Sequence, residues 1–124
     1  MSKIIINEQI SSLSSKEEIN EKKAIFSNNI IYYNHNGFTV NIKFLDEKIF
    51  IDRENHDVKI NLEFEKNKSL ITDYFIKDIN LNIKLKTITK NILIRNNSLY
   101  IEYDLYMNDE FSDSFKFKLE WRDL

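Results

Sequence analysis

Few residues of this sequence have the types and the spacing that catalysis requires. The two histidines, His35 and His56, each lie in a short polar stretch rich in Asn and Asp. Either one is a possible general base, but a polar residue of an exposed turn is the simpler interpretation. The chain has no cysteine and a single glycine, which excludes thiolate nucleophiles, disulfides and glycine-rich phosphate loops. The sequence therefore predicts no catalytic residue, no metal site and no cofactor, and it favours a non-enzymatic protein without excluding an enzyme.

A cationic residue is predicted on the apolar face of one strand. Arg53 follows Ile49 and Ile51 at alternate positions, and alternate residues of a strand point to the same side of a sheet. A buried cation is costly unless it meets a carboxylate, a ligand or a water-filled opening. Arg53 is therefore a candidate to bind the polar end of a ligand. Two alternatives remain: such a cation ends its strand and extends to solvent, or it pairs with an acidic residue of the first strands, Glu8 or Glu21.

Further polar residues are candidates for the same site. Lys90 lies two residues before Ile92, so the two side chains are predicted on the same face of their strand. Lys90 is predicted to lie opposite Tyr103 if Asn96-Asn97 forms a two-residue loop. Tyr74 lies near the end of another predicted strand. The predicted ligand-binding residues are Arg53, Tyr74, Lys90 and Tyr103.

The elements that position these residues are predicted to be β-strands. Isoleucine occurs 20 times and alanine once; Ile, Tyr and Phe favour strands, whereas Ala favours helices. Alternating apolar and polar residues are typical of antiparallel strands with one buried face, and they occur in segments 38–44, 58–65, 79–85, 99–107 and 115–121. Shorter strands are predicted near 3–11, 17–26, 29–34, 48–53 and 70–76. Segment 15–24 is alternatively a short helix with a serine cap.

Turns in this chain must depend on Asn, Asp and Ser, because proline is absent. Asn36-Gly37 is the strongest signal for a two-residue hairpin loop. Apolar residues occupy odd-numbered positions before residue 86 but even-numbered positions from Ile88 to Ile94. Because a strand changes its buried face only where an extra residue is inserted, a β-bulge is predicted near Lys86-Thr87. Many short strands without a convincing helix predict one all-β domain over residues 1–124, an antiparallel, mostly up-and-down barrel of about 8–10 strands.

Four segments and one arginine also carry a resemblance to a known family. Arg53 falls where members usually have an arginine, and the segments are 30–33, 40–44, 85–92 and 99–105. On these residues nearly the whole chain resembles the YwiB-like family of small bacterial proteins of unknown function. It departs from the family where Asn55 and Asp78 stand near positions that are usually glycine. The resemblance implies a calycin-like (lipocalin-like) barrel and no particular activity.

The net charge limits the possible binding partners, and the N-terminal residues indicate the cellular compartment. The net charge is -2, so the basic excess of a nucleic-acid or anionic-membrane binder is missing. The apolar run Ile4-Ile5-Ile6 is too short for a secretory signal, and no segment is long enough for a membrane helix. We therefore expect a cytoplasmic protein. Tyr100 and Tyr106 are predicted on the outer face, where a homodimer contact is possible.

Two functions remain open on this basis. In the first, the barrel binds a small, partly apolar ligand whose polar end meets Arg53 or Lys90. In the second, a filled barrel is a scaffold whose surface binds a protein partner or a second copy of the chain. The volume of the interior distinguishes them, because small-molecule sites occupy about 300–1,000 Å³.

Overall fold

The computed structural model describes all residues, Met1–Leu124, and consists of strands joined by turns. The ten strands are β1 (Ser2–Ser11), β2 (Lys16–Ser27), β3 (Ile30–His35), β4 (Phe38–Leu45), β5 (Lys48–Glu54), β6 (Val58–Glu65), β7 (Ser69–Ile76), β8 (Leu81–Arg95), β9 (Ser98–Met107) and β10 (Glu110–Asp123). No helix long and apolar enough to cross a membrane is found.

The strands form one closed antiparallel barrel. Each strand pairs with the next along the chain, and β10 pairs with β1 to close the ring. The predicted all-β, up-and-down barrel is therefore confirmed, and its architecture is consistent with a calycin-like barrel. Residues 16–24 of the segment 15–24 belong to β2 instead of a helix. Ile79, expected at the start of a strand, lies exposed in the turn before β8.

Asparagine supplies most of the tight turns, as the sequence predicts. The β3–β4 hairpin turns at Asn36-Gly37, and Asn28-Asn29 and Asn108-Asp109 form the β2–β3 and β9–β10 turns. Both residues of each pair have positive φ, as type I′ hairpin turns require. Asn96-Asn97 sets Ile94 opposite Leu99 in the predicted register.

The β-bulge of β8 lies at Lys90, three residues after its predicted place. Thr89 pairs with Tyr103 and Asn91 pairs with Glu102, so Lys90 is the extra residue. Thr87 and Thr89 consequently stay on the inner face and are buried. The inward orientation predicted for Lys90 is wrong: its ammonium is exposed and lies 3.1 Å from a carboxylate oxygen of Asp104 on the outer wall.

Contacts with neighbouring strands explain where this bulge forms. β6 and β7 pair at only three positions. Beyond these positions, toward the β6–β7 turn, the Thr87 hydroxyl donates a 2.6 Å hydrogen bond to the Glu63 carbonyl. The Thr89 N–H donates a hydrogen bond to the Lys68 carbonyl at 3.1 Å. These bonds hold β8 in a register in which Thr87 and Thr89 face inward. The alternation of inward and outward residues shifts by one position after Thr89.

The two ends of the barrel are filled differently. The upper end is defined here as the end with the β1–β2, β3–β4, β5–β6, β7–β8 and β9–β10 connections, and the lower end is the opposite one. Aromatic rings fill the lower end, where Trp121 packs against Phe26 and Phe44 with ring centroids 6.0 and 5.9 Å apart. Above them lies a core of fully buried side chains that includes Ile6 and Ile42. The open space therefore lies at the upper end.

Candidate ligand-binding cavity

A cavity of about 290 Å³ lies inside the upper half of the barrel. Eleven of its fourteen lining residues are hydrophobic, so an occupant would contact mainly apolar walls. The hydrophobic lining residues come from β1, β5, β6, β7, β8, β9 and β10 and include Ile51, Leu62, Leu85, Leu105, Met107 and Phe117. We call this space the upper cavity. Its volume is close to the lower limit of small-molecule sites, about 300 Å³.

Arg53 brings a positive charge to the wall of the upper cavity. It lies near the end of β5, where it pairs with Val40 of β4 and Ile60 of β6. Its Nε is buried and has no hydrogen-bond partner within the chain, and Arg53 takes part in none of the ion pairs. Because an unsatisfied buried donor is costly, this N–H favours an occupant of the cavity that accepts a hydrogen bond.

Two tyrosines line the same cavity as Arg53. Tyr74 is half-buried near the end of β7, and Tyr103 of β9 is 7% exposed. Burial raises the pKa of the Tyr103 phenol to about 12, although the charge of Arg53 acts in the opposite direction. The Tyr103 hydroxyl is therefore protonated at neutral pH and can donate a hydrogen bond.

A smaller side chamber of about 180 Å³ adjoins the upper cavity, with which it shares Arg53, Ile60 and Glu17. Its wall contains Glu8 and Tyr33, which are 5% and 4% exposed. The Tyr33 hydroxyl donates a hydrogen bond to Glu8 Oε1. Burial, and then the negative charge of Glu8 and this hydrogen bond, raise the pKa of Tyr33 far above its usual value.

The structure brings together three of the four predicted ligand-binding residues. Arg53, Tyr74 and Tyr103 line one cavity, whereas Lys90 lies outside the barrel. Their role in binding stays a prediction. Of the histidines, His35 lines the side chamber and His56 is exposed in a turn.

Sequence reasoning did not place Glu8 and Tyr33 in the site. The sequence offers Glu8 only as one possible partner for a buried cation, together with Glu21. The structure separates the two: Glu8 points inward, whereas Glu21 is exposed and pairs with Arg122. The available signal was an acid at the inward positions of β1, between Ile6 and Ile10.

A larger concave surface lies on the outer wall and is more open to solvent. It has a volume of about 410 Å³ and is bordered by Lys3, Lys23 and Leu124. It follows the junction of β2 and β3, which pair at only three positions. No group of three His, Cys, Asp or Glu residues suited to a metal ion is present.

Comparisons with known proteins support the fold. The chain matches the family described as "Domain of unknown function (DUF1934)" over residues 4–119. It is also similar to the crystal structure of the ywiB protein from Bacillus subtilis, with a TM-score of 0.62, 17% sequence identity and coverage of 98% of this chain and 90% of that chain. No curated protein matches the sequence. The resemblance to the YwiB-like family is thus confirmed, and at this identity the structural match shows the fold alone.

Proposed function

The chain belongs to the DUF1934 family, and from the geometry of its barrel we propose that it is a non-enzymatic module that binds a small, partly apolar molecule in the upper cavity. The observation that carries this proposal is the buried Arg53 Nε, which has no partner within the chain and lies in the wall of an apolar cavity of about 290 Å³. A ligand would cover the apolar walls and accept a hydrogen bond from Arg53 at the same time.

The arrangement also gives the ligand an orientation. Apolar side chains of β8, β9 and β10 surround the body of the cavity, whereas Arg53 lies where the cavity meets the side chamber. We therefore propose that the apolar body of the ligand packs against Leu85, Leu105 and Phe117, while its polar end faces Arg53 and Tyr103.

Binding of N-phenyl-1-naphthylamine, an apolar dye whose fluorescence rises in a dry site, tests this proposal. We expect saturable binding of one dye per chain. Met107→Trp should abolish most of the binding, because the larger ring fills the cavity. The matched control is Tyr106→Trp, the adjacent residue, whose ring lies on the outer wall beneath the Lys86 ammonium.

Two results would contradict the proposal. One is the absence of saturable dye binding by the folded wild-type barrel. The other is equal binding by the wild type and by a folded Met107→Trp variant, which would place the dye outside the upper cavity. Native mass spectrometry of freshly purified protein provides an independent measurement, because a bound molecule adds a defined mass.

A further inference from the structure

We infer that the polar end of the ligand is an uncharged group that both accepts and donates hydrogen bonds, such as a primary amide. This inference rests on the function proposed above and concerns the chemical class of the ligand. It follows from the charges in the cavity walls, because a buried site binds best the group that leaves no charge without a counter-charge.

The walls of the upper cavity and the side chamber contain one buried acid, Glu8, and one partly buried cation, Arg53. Glu8 of β1 is 5% exposed, and the Nε of Arg53 in β5 is fully buried. Glu17 also lines both spaces, but it is exposed at the rim, where solvent screens its charge. Lys22, which lies opposite Ile6 in β2, lines neither space.

The charges of Glu8 and Arg53 act on the same interior groups. Both influence the hydroxyls of Tyr33 and Tyr103, with opposite signs. The acid and the cation therefore balance each other across the interior, although they form no direct ion pair. Each of the two groups therefore already has a counter-charge within the chain.

A charged ligand would disturb this balance. A carboxylate would add a second negative charge to the one on Glu8, with only Arg53 to oppose both. An ammonium would add a second positive charge in the same way. Each would leave one excess charge in a poorly solvated space, which disfavours binding.

The hydrogen-bonding groups of the walls fit a polar end, or head, that both accepts and donates hydrogen bonds. Arg53 and Tyr103 offer N–H and O–H donors to the upper cavity, so the head must accept. The Glu8 carboxylate receives one hydrogen bond from Tyr33 and has remaining acceptor sites, so the head can donate toward the side chamber. A primary amide satisfies both requirements without a net charge.

Three eight-carbon compounds with apolar chains of similar length and different polar ends test this inference. Octanamide is neutral at pH 7, whereas octanoate is an anion and octylamine a cation. Each is titrated against the barrel loaded with N-phenyl-1-naphthylamine, and displacement of the dye is measured. We expect octanamide to bind on the order of tenfold more tightly than either charged compound.

Two charge-removing substitutions should change the preference in opposite directions. Glu8→Gln leaves Arg53 without a counter-charge, so octanoate should become the preferred compound. Arg53→Gln leaves Glu8 without one, so octylamine should become preferred. The control is Lys90→Gln, which removes one charge from the outer wall and should leave the order unchanged.

The outcomes separate this inference from the proposed function. If the dye binds but octanoate is the best ligand of the wild type, or all three compounds bind equally, the inference is wrong while the binding module stands. If neither substitution changes the order, charge balance does not select the ligand, and the inference is wrong as well. If the dye does not bind at all, the proposed function itself fails.

Discussion

Tyr33 and Tyr103 are two phenols whose surroundings oppose ionisation. Burial is the main cause for both, and the negative charge of Glu8 adds to it. A tyrosine of the unfolded chain has a pKa of about 10, whereas the pKa of Tyr103 in the barrel is about 12. The native state therefore holds these protons more tightly than the unfolded state, and their contribution to stability is complete below about pH 10.

We predict that the barrel loses stability as the pH rises from about 10 toward 12, the pKa of Tyr103, because the unfolded state releases these protons first. An alkaline titration of tyrosinate absorbance should show a late phase that coincides with loss of the β-sheet circular dichroism signal. Tyr33→Phe should reduce the amplitude of that phase, whereas Tyr32→Phe, on the neighbouring exposed ring, should not. A late phase that persists in full in Tyr33→Phe would contradict the assignment.

Arg53 and Lys90 show how much of the site can be predicted residue by residue. Arg53 continues a regular alternation in β5, so its parity alone places it inside the barrel. Lys90 is the bulged residue, at which the alternation of inward and outward residues shifts. The position of this bulge is determined by Thr87 and Thr89, through hydrogen bonds to the Glu63 and Lys68 carbonyls. Those partners belong to β6 and the β6–β7 turn, so alternation within the β8 sequence cannot locate the bulge.

Among the elements, β10 holds the lower end of the barrel closed. Its residues Phe117 and Leu119 belong to the core, and Trp121 packs beside Phe26 and Phe44, which come from β2 and β4. The alternation of residues 115–121 correctly predicted which face of β10 is buried. It did not predict that Trp121 is only half-buried, because its neighbours come from strands distant in the sequence.

We predict that Trp121→Ala lowers the free energy of unfolding by about 2–3 kcal/mol, less than the roughly 3–5 kcal/mol typical of a fully buried aromatic residue. The reduction follows from the partial exposure of the ring. Phe111→Ala is a suitable control, since that ring is 50% exposed and should cost less than about 1 kcal/mol. Urea unfolding of the variants measures both values, and a Trp121→Ala variant as stable as wild type would show that this cluster does not stabilise the lower end.

At the scale of the whole molecule, the barrel combines nine local strand pairings with one distant pairing. The nine join strands that follow each other in the sequence, and the tenth joins β1 to β10. The filled lower end and the core hold the strands together, so the upper end can enclose a cavity without opening the ring. The order of the strands was predictable because short turns link neighbours. The volume left at the upper end was not, because it depends on how side chains from eight strands meet.

This topology predicts an order of folding. Local hairpins form with a small loss of chain entropy, whereas pairing β1 with β10 must close a loop of nearly the whole chain. Ile6 of β1 and Ile42 of the β3–β4 hairpin are both fully buried, so Ile→Val at either position should cost a similar 0.5–1.5 kcal/mol or so. We expect the transition state to contain the hairpin contacts but not the β1–β10 pairing, so Ile42→Val should mainly slow folding and Ile6→Val should mainly accelerate unfolding. Stopped-flow folding and unfolding rates measure this division, and slower folding of Ile6→Val with an unchanged unfolding rate would show that closure of the barrel precedes the transition state.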